Sequence, residues 1–284
     1  KTGRSMTIGM LSSSLAEEWG AKILVGALSA IQNCPYSLRI EAVHGAAEER
    51  VALERLLGSR IEGLFCCNIN PDRDTDEFFK LATERYNVAV ASTNCSFSFP
   101  HVRVETDNFA AVMALIEHLV ELGHRRIAHI AGDQISEASR ERREAFLQSV
   151  EFFKLNSLEC PVHFSDWQSD QARALARELL NQPNRPTAVV CANDLIAACT
   201  LQVANELKLK VPEELSIVGM TNERVSRLTV PEITTVSIPE KEIGRAAMLA
   251  LIKSIDTKQA EGNQGIDRHA CSIVTRGSSA AAPK

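Results

Sequence analysis

Residues 186–219 constrain the fold of this chain more strongly than any other segment. An apolar run at residues 187–192 ends in Asn193-Asp194, a helical pattern follows, and a second apolar run fills residues 215–218. A strand, a helix and a strand in this order predict a βαβ unit, which requires parallel strands joined by a right-handed crossover. Because ligands bind at the carboxyl ends of strands in open parallel sheets, the polar residues after both runs are predicted to lie at a binding edge.

Apolar runs and helical patterns alternate in the same way along the rest of the chain. With 284 residues, the chain is longer than a typical single domain. We therefore predict an α/β protein of two doubly wound parallel-sheet lobes, joined by a multi-strand hinge that favours closure around a ligand. The first lobe is predicted at residues 5–105 plus 238–265. The second is predicted at residues 106–237 plus 266–278, with a disordered tail from residue 277.

Composition and charge narrow the classes of function. The net charge of −5 argues against binding of nucleic acid by this chain alone, but it does not exclude a role within a larger DNA-binding protein. The eight cysteines lack the paired spacing of a disulfide framework, which favours a reducing cytoplasm. No apolar run approaches the length of a membrane span, so no membrane partner is predicted. Since the sequence does not begin with Met, we expect that a signal peptide or another domain preceded it.

Motifs of catalysis and cofactor binding do not occur in the sequence. The patterns GxGxxG, GxxxxGK[ST], GxSxG and HExxH are absent, and His118, His124 and His129 do not share the spacing of metal ligands. These histidines are predicted to be exposed or to cap helices. We therefore predict that the chain is not an enzyme and that it holds no cofactor and no metal.

Small polar and aromatic residues follow the ends of the predicted strands. They include Ser13 and Thr93 in the first lobe, and Trp167, Asn193 and Thr221 in the second. If the two carboxyl edges face each other, these side chains line one cleft. With an arginine added, that cleft suits a small polar ligand such as a sugar or a nucleoside.

Several of these residues also have a purely structural interpretation. Asn193 or Asp194 could cap the following helix, and the serines around Ser13 could form a turn. Arg142 lies in the charged stretch 140–144, which on its own indicates a solvated helix face. From the residue pattern alone, both interpretations stay open.

Five segments together resemble a known family. They are Asp107-Asn108, residues 118–132 with the run GHRRIAHIAG, Ala192-Asn193-Asp194, residues 211–219 with VPEELSIVG, and residues 231–236 with PEITTV. In this order they resemble the lactose-repressor (LacI/GalR) family of transcription regulators and span essentially the whole chain. The resemblance implies a periplasmic-binding-protein-like effector core, which in the family follows a helix-turn-helix headpiece that is absent from this sequence.

The resemblance also implies roles for individual residues. It makes Asn193 a hydrogen-bonding partner of the effector, selects Arg142 as an effector-binding arginine, and makes Trp167 the aromatic residue that stacks on the effector. Ser13 falls where a loop approaches the ligand. The family usually has a carboxylate at the position of Thr221 and another near Thr93, and this chain has neither. Because carboxylates bind sugar hydroxyls strongly, we hypothesise an acidic, phosphorylated or less hydroxylated effector.

These features lead to one main functional prediction. The chain is predicted to be the cytoplasmic, effector-binding and dimerisation core of a transcriptional regulator, with a sugar or sugar derivative bound in the cleft between the lobes. Closure would be transmitted to the missing headpieces, through which a homodimer contacts operator DNA. The alternative is a periplasmic solute-binding protein of a transporter, which shares the fold. The GHRRIA segment and the eight cysteines favour the regulator.

Overall fold

The chain forms two compact units, each built from more than one segment. The computed structural model describes residues 4–95, 97–257 and 265–283, with the backbone alone at residue 46. The first unit is Lys1–Thr106 with Pro239–His269, and the second is Asp107–Ile238 with Ala270–Lys284. The chain therefore passes from one unit to the other three times. Within the described residues, no helix is long and apolar enough to cross a membrane.

Strands and helices alternate along the chain, as a parallel α/β architecture requires. The first unit begins with β1 (Thr7–Ser12), α1 (Glu18–Ile31), β2 (Ser37–Ala42), α2 (Ala46–Gly58), β3 (Gly63–Cys67), α3 (Arg73–Tyr86), β4 (Ala89–Thr93) and β5 (Val102–Thr106). The second unit continues with α4 (Asn108–Glu121), β6 (Ile127–Ala131), α5 (Glu137–Phe152), β7 (Val162–Phe164), α6 (Ser169–Leu180), β8 (Ala188–Cys191), α7 (Asp194–Glu206), β9 (Ser216–Val218), α8 (Val225–Leu228) and β10 (Thr235–Ser237). The chain then adds α9 (Glu240–Thr257) and β11 (Ile266–His269) to the first unit and ends with β12 (Ser272–Val274) in the second.

Six parallel strands form the sheet of the first unit, in the order β11-β5-β4-β3-β1-β2. The central strand β3 is buried along its whole length, as expected where helices cover a parallel sheet. Leu56 of α2 and Phe79 of α3 share one apolar core with Leu64 of β3. The register makes Ser12, Cys67 and Thr93 neighbours at the carboxyl edge, which positions the residues that follow them.

Two sequence predictions about the end of the chain are wrong. Residues 266–269 are predicted in the second lobe, but they form β11, which pairs with β5 of the first unit. β11 is largely exposed and polar, so it has no apolar run that a sequence pattern could detect. Residues 277–283 of the tail are also ordered, because Ser278 is buried and its hydroxyl donates to the carbonyl of Ile217.

Four parallel strands form the main sheet of the second unit, in the order β7-β6-β8-β9. The predicted βαβ unit is confirmed as β8-α7-β9, in which β8 and β9 pair in parallel. β10 and β12 form a separate antiparallel pair. Single bridges from Val218 to Thr234 and from Thr221 to Ser237 connect the end of β9 with the segment that contains β10.

Two histidines of the second unit are buried, so their prediction as exposed or capping residues is wrong. The ring nitrogens of His124 lie 2.9 Å from the hydroxyl of Thr187 and 3.0 Å from that of Ser216. His129 hydrogen-bonds the carbonyl of Val190 through Nδ1, and burial lowers the pKa of His129 to about 4. Their partners lie far away in sequence, where no local pattern could indicate them.

Candidate functional site

The carboxyl edge of the main sheet in the second unit contains most of the predicted site residues. Trp167 follows β7, Asn193 follows β8 and Thr221 follows β9, as the sequence predicts. Arg142 comes from α5 and reaches the same edge, where its Nη1 donates to the carbonyl of Ala192 at 2.6 Å. The fold therefore brings Arg142 next to Asn193 in the chain that leaves β8.

Arg142 is a buried cation whose hydrogen-bond partners are neutral. The residue is 4% exposed, and its Nε donates to Oδ1 of Asn108 at 2.9 Å. Burial lowers the pKa of Arg142 to about 10, although nearby acidic groups, including Glu141, act in the opposite direction. The side chain thus remains charged at pH 7. The solvated helix face indicated by the charged stretch 140–144 is wrong for this position.

The indole ring of Trp167 has a fixed position. Its Nε1 donates to Oδ2 of Asp133 at 2.9 Å, while Oδ1 of Asp133 accepts hydrogen bonds from the backbone of Ile135 and Ser136. The ring packs directly on Gly132, because a Cβ atom built at that position would lie 2.1 Å from Cε2 of Trp167. With its N–H used by Asp133, the ring can offer a ligand only its flat apolar surface.

Asn193 has the capping role that the sequence left open. Its Oδ1 accepts a hydrogen bond from the backbone N–H of Ile196 at 2.8 Å, which makes it the N-cap of α7. The amide nitrogen is not needed for this cap. Asn193 can therefore cap the helix through its oxygen and donate to a ligand through Nδ2 at the same time.

The loop after β9 contains two residues with positive φ angles, and hydrogen bonds from several segments fix its conformation. Thr221 and Asn222 have φ angles of +98° and +50°, and the first is unfavourable for a β-branched residue. The backbone N–H of Thr221 donates to the carbonyl of Val236 at 2.8 Å, and its hydroxyl donates to the carbonyl of Met220. Arg276 donates to Oδ1 of Asn222. Thr221 can therefore offer a ligand a hydroxyl oxygen but no negative charge.

Asp194 is a further charged residue of this edge, which the sequence analysis considered only as a possible helix cap and as part of the family resemblance. It is fully buried, and its two oxygens accept hydrogen bonds from the hydroxyl of Thr235 at 2.6 Å and the backbone N–H of Glu223 at 2.7 Å. Asp194 thus ties the loop after β9 to β10. Burial raises the pKa of Asp194 to about 7, although the two hydrogen bonds act to lower it. From the sequence, Asp194 is only a polar residue at the start of a helix. Its hydrogen-bond partners are distant in sequence and could not be predicted.

This pKa predicts that Asp194 makes stability depend on pH. The folded state binds the proton more tightly than the unfolded state, so stability from this group is complete below about pH 4 and is lost as pH rises through 7. Between pH 5 and pH 8 we expect the free energy of unfolding of the wild type to fall by about 3 kcal/mol more than that of Asp194→Asn. Glu223 raises and Arg276 lowers the same pKa, and both remain in the variant.

Urea unfolding followed by the fluorescence of Trp167, with all proteins in a Trp19→Phe background, measures this difference. Asp170→Asn serves as the control, because the side chain of Asp170 is 94% exposed in the same unit. The free energy of unfolding of Asp170→Asn should change with pH as that of the wild type does. The same pH profile for wild type and Asp194→Asn would contradict the role given to Asp194.

The carboxyl edge of the first unit brings Ser13 and Thr93 together through Asn68. The hydroxyl of Ser13 donates to the carbonyl of Asn68 and accepts from its Nδ2 at 3.1 Å, while the backbone N–H of Asn68 donates to the carbonyl of Thr93. Thr93 is fully buried, and its hydroxyl has no partner among the described residues. Oδ1 of Asn94 is likewise buried and has no hydrogen-bond partner among the described residues. The backbone N–H of Asn94 donates to Oε2 of Glu105 at 2.7 Å. Asn94 is thus a further candidate that the sequence analysis left unassigned.

Comparisons with known proteins identify the family. The model of the periplasmic binding protein-like domain matches residues 116–279, more than half of the chain. The chain belongs to this family. The transcriptional repressor CytR of Escherichia coli K12 is 27% identical over 290 residues, which cover 100% of this chain and 82% of the repressor.

Solved structures of lactose-repressor type regulators share the fold. The lac repressor dimer bound to operator and the anti-inducer ONPF has a TM-score of 0.87 at 23% identity, over 99% of this chain and 96% of the other. A LacI family regulator from Enterococcus faecium with bound ribose has a TM-score of 0.83 at 19% identity, over 97% of this chain and 99% of the other. This periplasmic-binding-protein-like chain is the core of a LacI/GalR transcriptional regulator, so the transporter alternative is not supported.

Metal ligation is not indicated in this LacI/GalR core. Within residues 4–95, 97–257 and 265–283, no group of three or more His, Cys, Asp or Glu side chains could hold a metal ion. All the cysteines are free, and most of them are buried. The groups at the carboxyl edges include a flat ring, a guanidinium group, amides, hydroxyls and carboxylates, which can bind a polar ligand.

Proposed function

We propose that the carboxyl edge of the second unit binds a sugar or sugar derivative as the effector of this regulator core. The observation that carries the proposal is buried Arg142 beside Asn193, together with the ring of Trp167 packed on Gly132. A flat ring stacks on the C–H face of a sugar, while guanidinium and amide donors bind its oxygens. The Enterococcus faecium relative, which shares the fold, has ribose bound.

Further candidate ligand contacts are Thr221 at the edge of the second unit and, at the carboxyl edge of the first unit, Ser13 and Thr93. Buried Thr93 supports this assignment, because an unpaired buried hydroxyl is costly and a ligand oxygen would relieve that cost. The hydroxyls of Ser13 and Thr221 already donate to backbone carbonyls, so toward a ligand they act as acceptors. We propose that these groups bind the ligand without reacting with it. Chemical turnover of a bound ligand would contradict this proposal.

Effector binding controls DNA affinity by shifting a population of states in a homodimer. The supporting surface is the exposed apolar pair Leu228 and Val230, which are 81% and 88% exposed. The proposed homodimer controls binding to operator DNA and acts in the cytoplasm. A monomer in light scattering at micromolar concentration would contradict the dimer.

A thermal-shift screen tests the effector site. The panel contains neutral sugars, sugar phosphates, sugar acids and nucleosides, and we expect at least one class to raise the melting temperature. A ligand at one hundred times its Kd stabilises the folded state by about 2.7 kcal/mol. Trp167→Ala should weaken binding of that ligand by about tenfold or more, because it removes the stacking surface.

The matched control for this variant is Phe152→Ala, since Phe152 lies in the same unit and is 69% exposed. Its affinity should equal that of the wild type in isothermal titration calorimetry. Equal affinities of Trp167→Ala and Phe152→Ala for the ligand would contradict the proposed site.

A further inference from the structure

Thr221 has a backbone conformation that needs support from its surroundings. Its φ angle is +98°, and that of Asn222 is +50°. A β-branched residue rarely adopts a positive φ, and such a conformation persists only where neighbouring groups hold it. The backbone N–H of Thr221 donates to the carbonyl of Val236 at 2.8 Å, which fixes the chain on the β9 side of Thr221. On the other side, the conformation depends on how Asn222 is held.

Asn222 forms a short hydrogen bond with Arg276. Nη2 of Arg276 donates to Oδ1 of Asn222 at 2.5 Å. Two further bonds of Asn222 are much longer, since its backbone N–H lies 3.4 Å from the hydroxyl of Thr235 and its Nδ2 lies 3.3 Å from that of Ser237. Bonds of this length are weak, whereas a charged donor strengthens a hydrogen bond. Arg276 therefore holds Asn222 more firmly than Thr235 and Ser237 do.

The guanidinium group of Arg276 bonds three segments of the second unit at once. Besides Asn222, its Nη1 donates to the hydroxyl of Ser226 in α8 at 3.0 Å and to the carbonyl of Ile233 at 2.8 Å. Because the guanidinium group is planar and rigid, these acceptors have fixed positions relative to one another. The loop after β9, α8 and the segment that leads into β10 are therefore held together by one side chain.

Arg276 itself is fixed by the chain around it. Its side chain is 9% exposed, and its backbone N–H donates to the hydroxyl of Thr234 at 2.9 Å. Two residues later, Ser278 is fully buried, and its carbonyl accepts from the backbone N–H of Ile217 in β9 at 2.8 Å. The end of the chain thus anchors Arg276 on the same strand whose loop Arg276 supports.

The charge of Arg276 is balanced within the unit. Its Nε lies 3.6 Å from a carboxylate oxygen of Glu232, whose side chain is 56% exposed, so this ion pair contributes little to stability. Burial raises the pKa of Asp194, and the positive charge of Arg276 partly opposes that rise. Arg276 therefore acts mainly through its hydrogen bonds, and no anionic ligand is needed to compensate its charge.

We infer that Arg276 is a positioning residue of the proposed ligand-binding edge. It holds Asn222 and thereby keeps Thr221 in the positive-φ conformation in which Thr221 is available to the ligand. It acts through these residues rather than by contact with the ligand. This inference rests on the proposed function, which includes Thr221 among the candidate ligand contacts. The first test needs no ligand, so the inference and the proposed function can fail separately.

The first test is nuclear magnetic resonance of the protein without ligand. The chemical shifts of Cα and Cβ of Thr221 depend on its φ angle, and they are compared in the wild type and Arg276→Gln. We expect Arg276→Gln to move both shifts toward the values of an extended threonine, because the remaining bonds of Asn222 are long and weak. Wild-type shifts of Thr221 in Arg276→Gln would overturn the inference.

Arg185→Gln is the matched control for this variant. The side chain of Arg185 is 23% exposed in the same unit, and its Nη1 donates to the carbonyl of Glu214 at 3.0 Å, while its Nη2 lies 3.9 Å from the carboxylate of Glu214. Arg185 thus also joins a backbone carbonyl and a carboxylate, but before β9 rather than after it. Thr221 should have wild-type shifts in Arg185→Gln. The same change in Arg185→Gln as in Arg276→Gln would overturn the inference, because the effect would not depend on the contact with Asn222.

Further variants keep the test decisive if Arg276→Gln does not fold. Arg276→Lys retains the positive charge near Glu232 but lacks the planar fork, so it should move the shifts of Thr221 as well, while Arg185→Lys should not. Asn222→Asp keeps the oxygen that accepts from Arg276 and should leave Thr221 with wild-type shifts. Wild-type shifts in Arg276→Lys, or altered shifts in Asn222→Asp, would overturn the inference.

The second test repeats the thermal-shift panel of neutral sugars, sugar phosphates, sugar acids and nucleosides on the variants. Each melting temperature is compared with that of the same variant without ligand. For a panel member that stabilises the wild type, Arg276→Gln should need about ten times the concentration for the same rise, as for the loss of one hydrogen bond. Arg185→Gln should respond as the wild type does.

The two tests together separate the inference from the proposed function. Altered shifts of Thr221 in Arg276→Gln with wild-type affinity would overturn the positioning role, while the proposed site at Trp167 and Asn193 would remain. Altered shifts without stabilisation of the wild type by any panel member would support the action of Arg276 on the loop and contradict the proposed function.

Discussion

Alanine at Gly244 is expected to lower the free energy of unfolding of the first unit by about 3 kcal/mol or more. α9 crosses α1 here at very short range, since a Cβ atom on Gly244 would lie 2.1 Å from the carbonyl oxygen of Ile23. The contact is reciprocal, because a Cβ on Gly26 would lie 2.1 Å from the carbonyl oxygen of Lys241. Both obstacles are backbone atoms, so the helices must move apart to admit a methyl group. α9 also packs on β3, β4 and β5, and its displacement would loosen the sheet.

Buried Trp19 on α1 allows the first unit to be measured by itself. The chain has two tryptophans, so a Trp167→Phe background leaves Trp19 as the fluorescent probe for urea unfolding. Gly58→Ala is the matched control, because a Cβ at this helical position meets nothing within 4 Å. It should leave stability unchanged or raise it by about 0.5–1 kcal/mol, since alanine favours helix. A Gly244→Ala protein as stable as Gly58→Ala would show that the helices do not cross at this range.

Alanine at Gly132 is expected to displace the ring of Trp167 and to weaken effector binding by more than about tenfold. The added methyl group would occupy space 2.1 Å from Cε2 and 2.2 Å from Cζ2 of that ring. The ring cannot move aside while its Nε1 stays bonded to Asp133. We therefore expect the variant to break this hydrogen bond and to expose the indole to solvent.

Fluorescence in a Trp19→Phe background detects this change even before the effector is known. The emission of Trp167 should shift to longer wavelength in Gly132→Ala, and its near-ultraviolet circular dichroism should weaken. Gly58→Ala in the same background should have the spectrum of the parent protein. Unaltered emission in Gly132→Ala would refute the close packing of ring and glycine.

Fold class and most site positions could be predicted because they depend on local periodicity. Short stretches of sequence contain the apolar runs that form β8 and β9 and the helical pattern that forms α7. The ends of the predicted strands then give the positions of Trp167, Asn193 and Thr221. β11 could not be predicted, because its residues are exposed and polar and it is held by pairing with β5.

The environment of each side chain depends on partners that are distant in sequence. Arg142 looks like part of a solvated charged stretch until α5 places it against Asn108 and the carbonyl of Ala192, which are 34 and 50 residues away. Asp194 depends in the same way on Thr235, 41 residues away. The burial, pKa and charge balance of the site therefore require the tertiary structure.

The most direct test of the effector site is a crystal structure of the protein with the ligand that gives the largest thermal shift. We expect that ligand to lie within hydrogen-bonding distance of the guanidinium of Arg142 and Nδ2 of Asn193, with its flat face on the ring of Trp167. A ligand bound elsewhere, with Arg142 and Trp167 making no contact to it, would contradict the account.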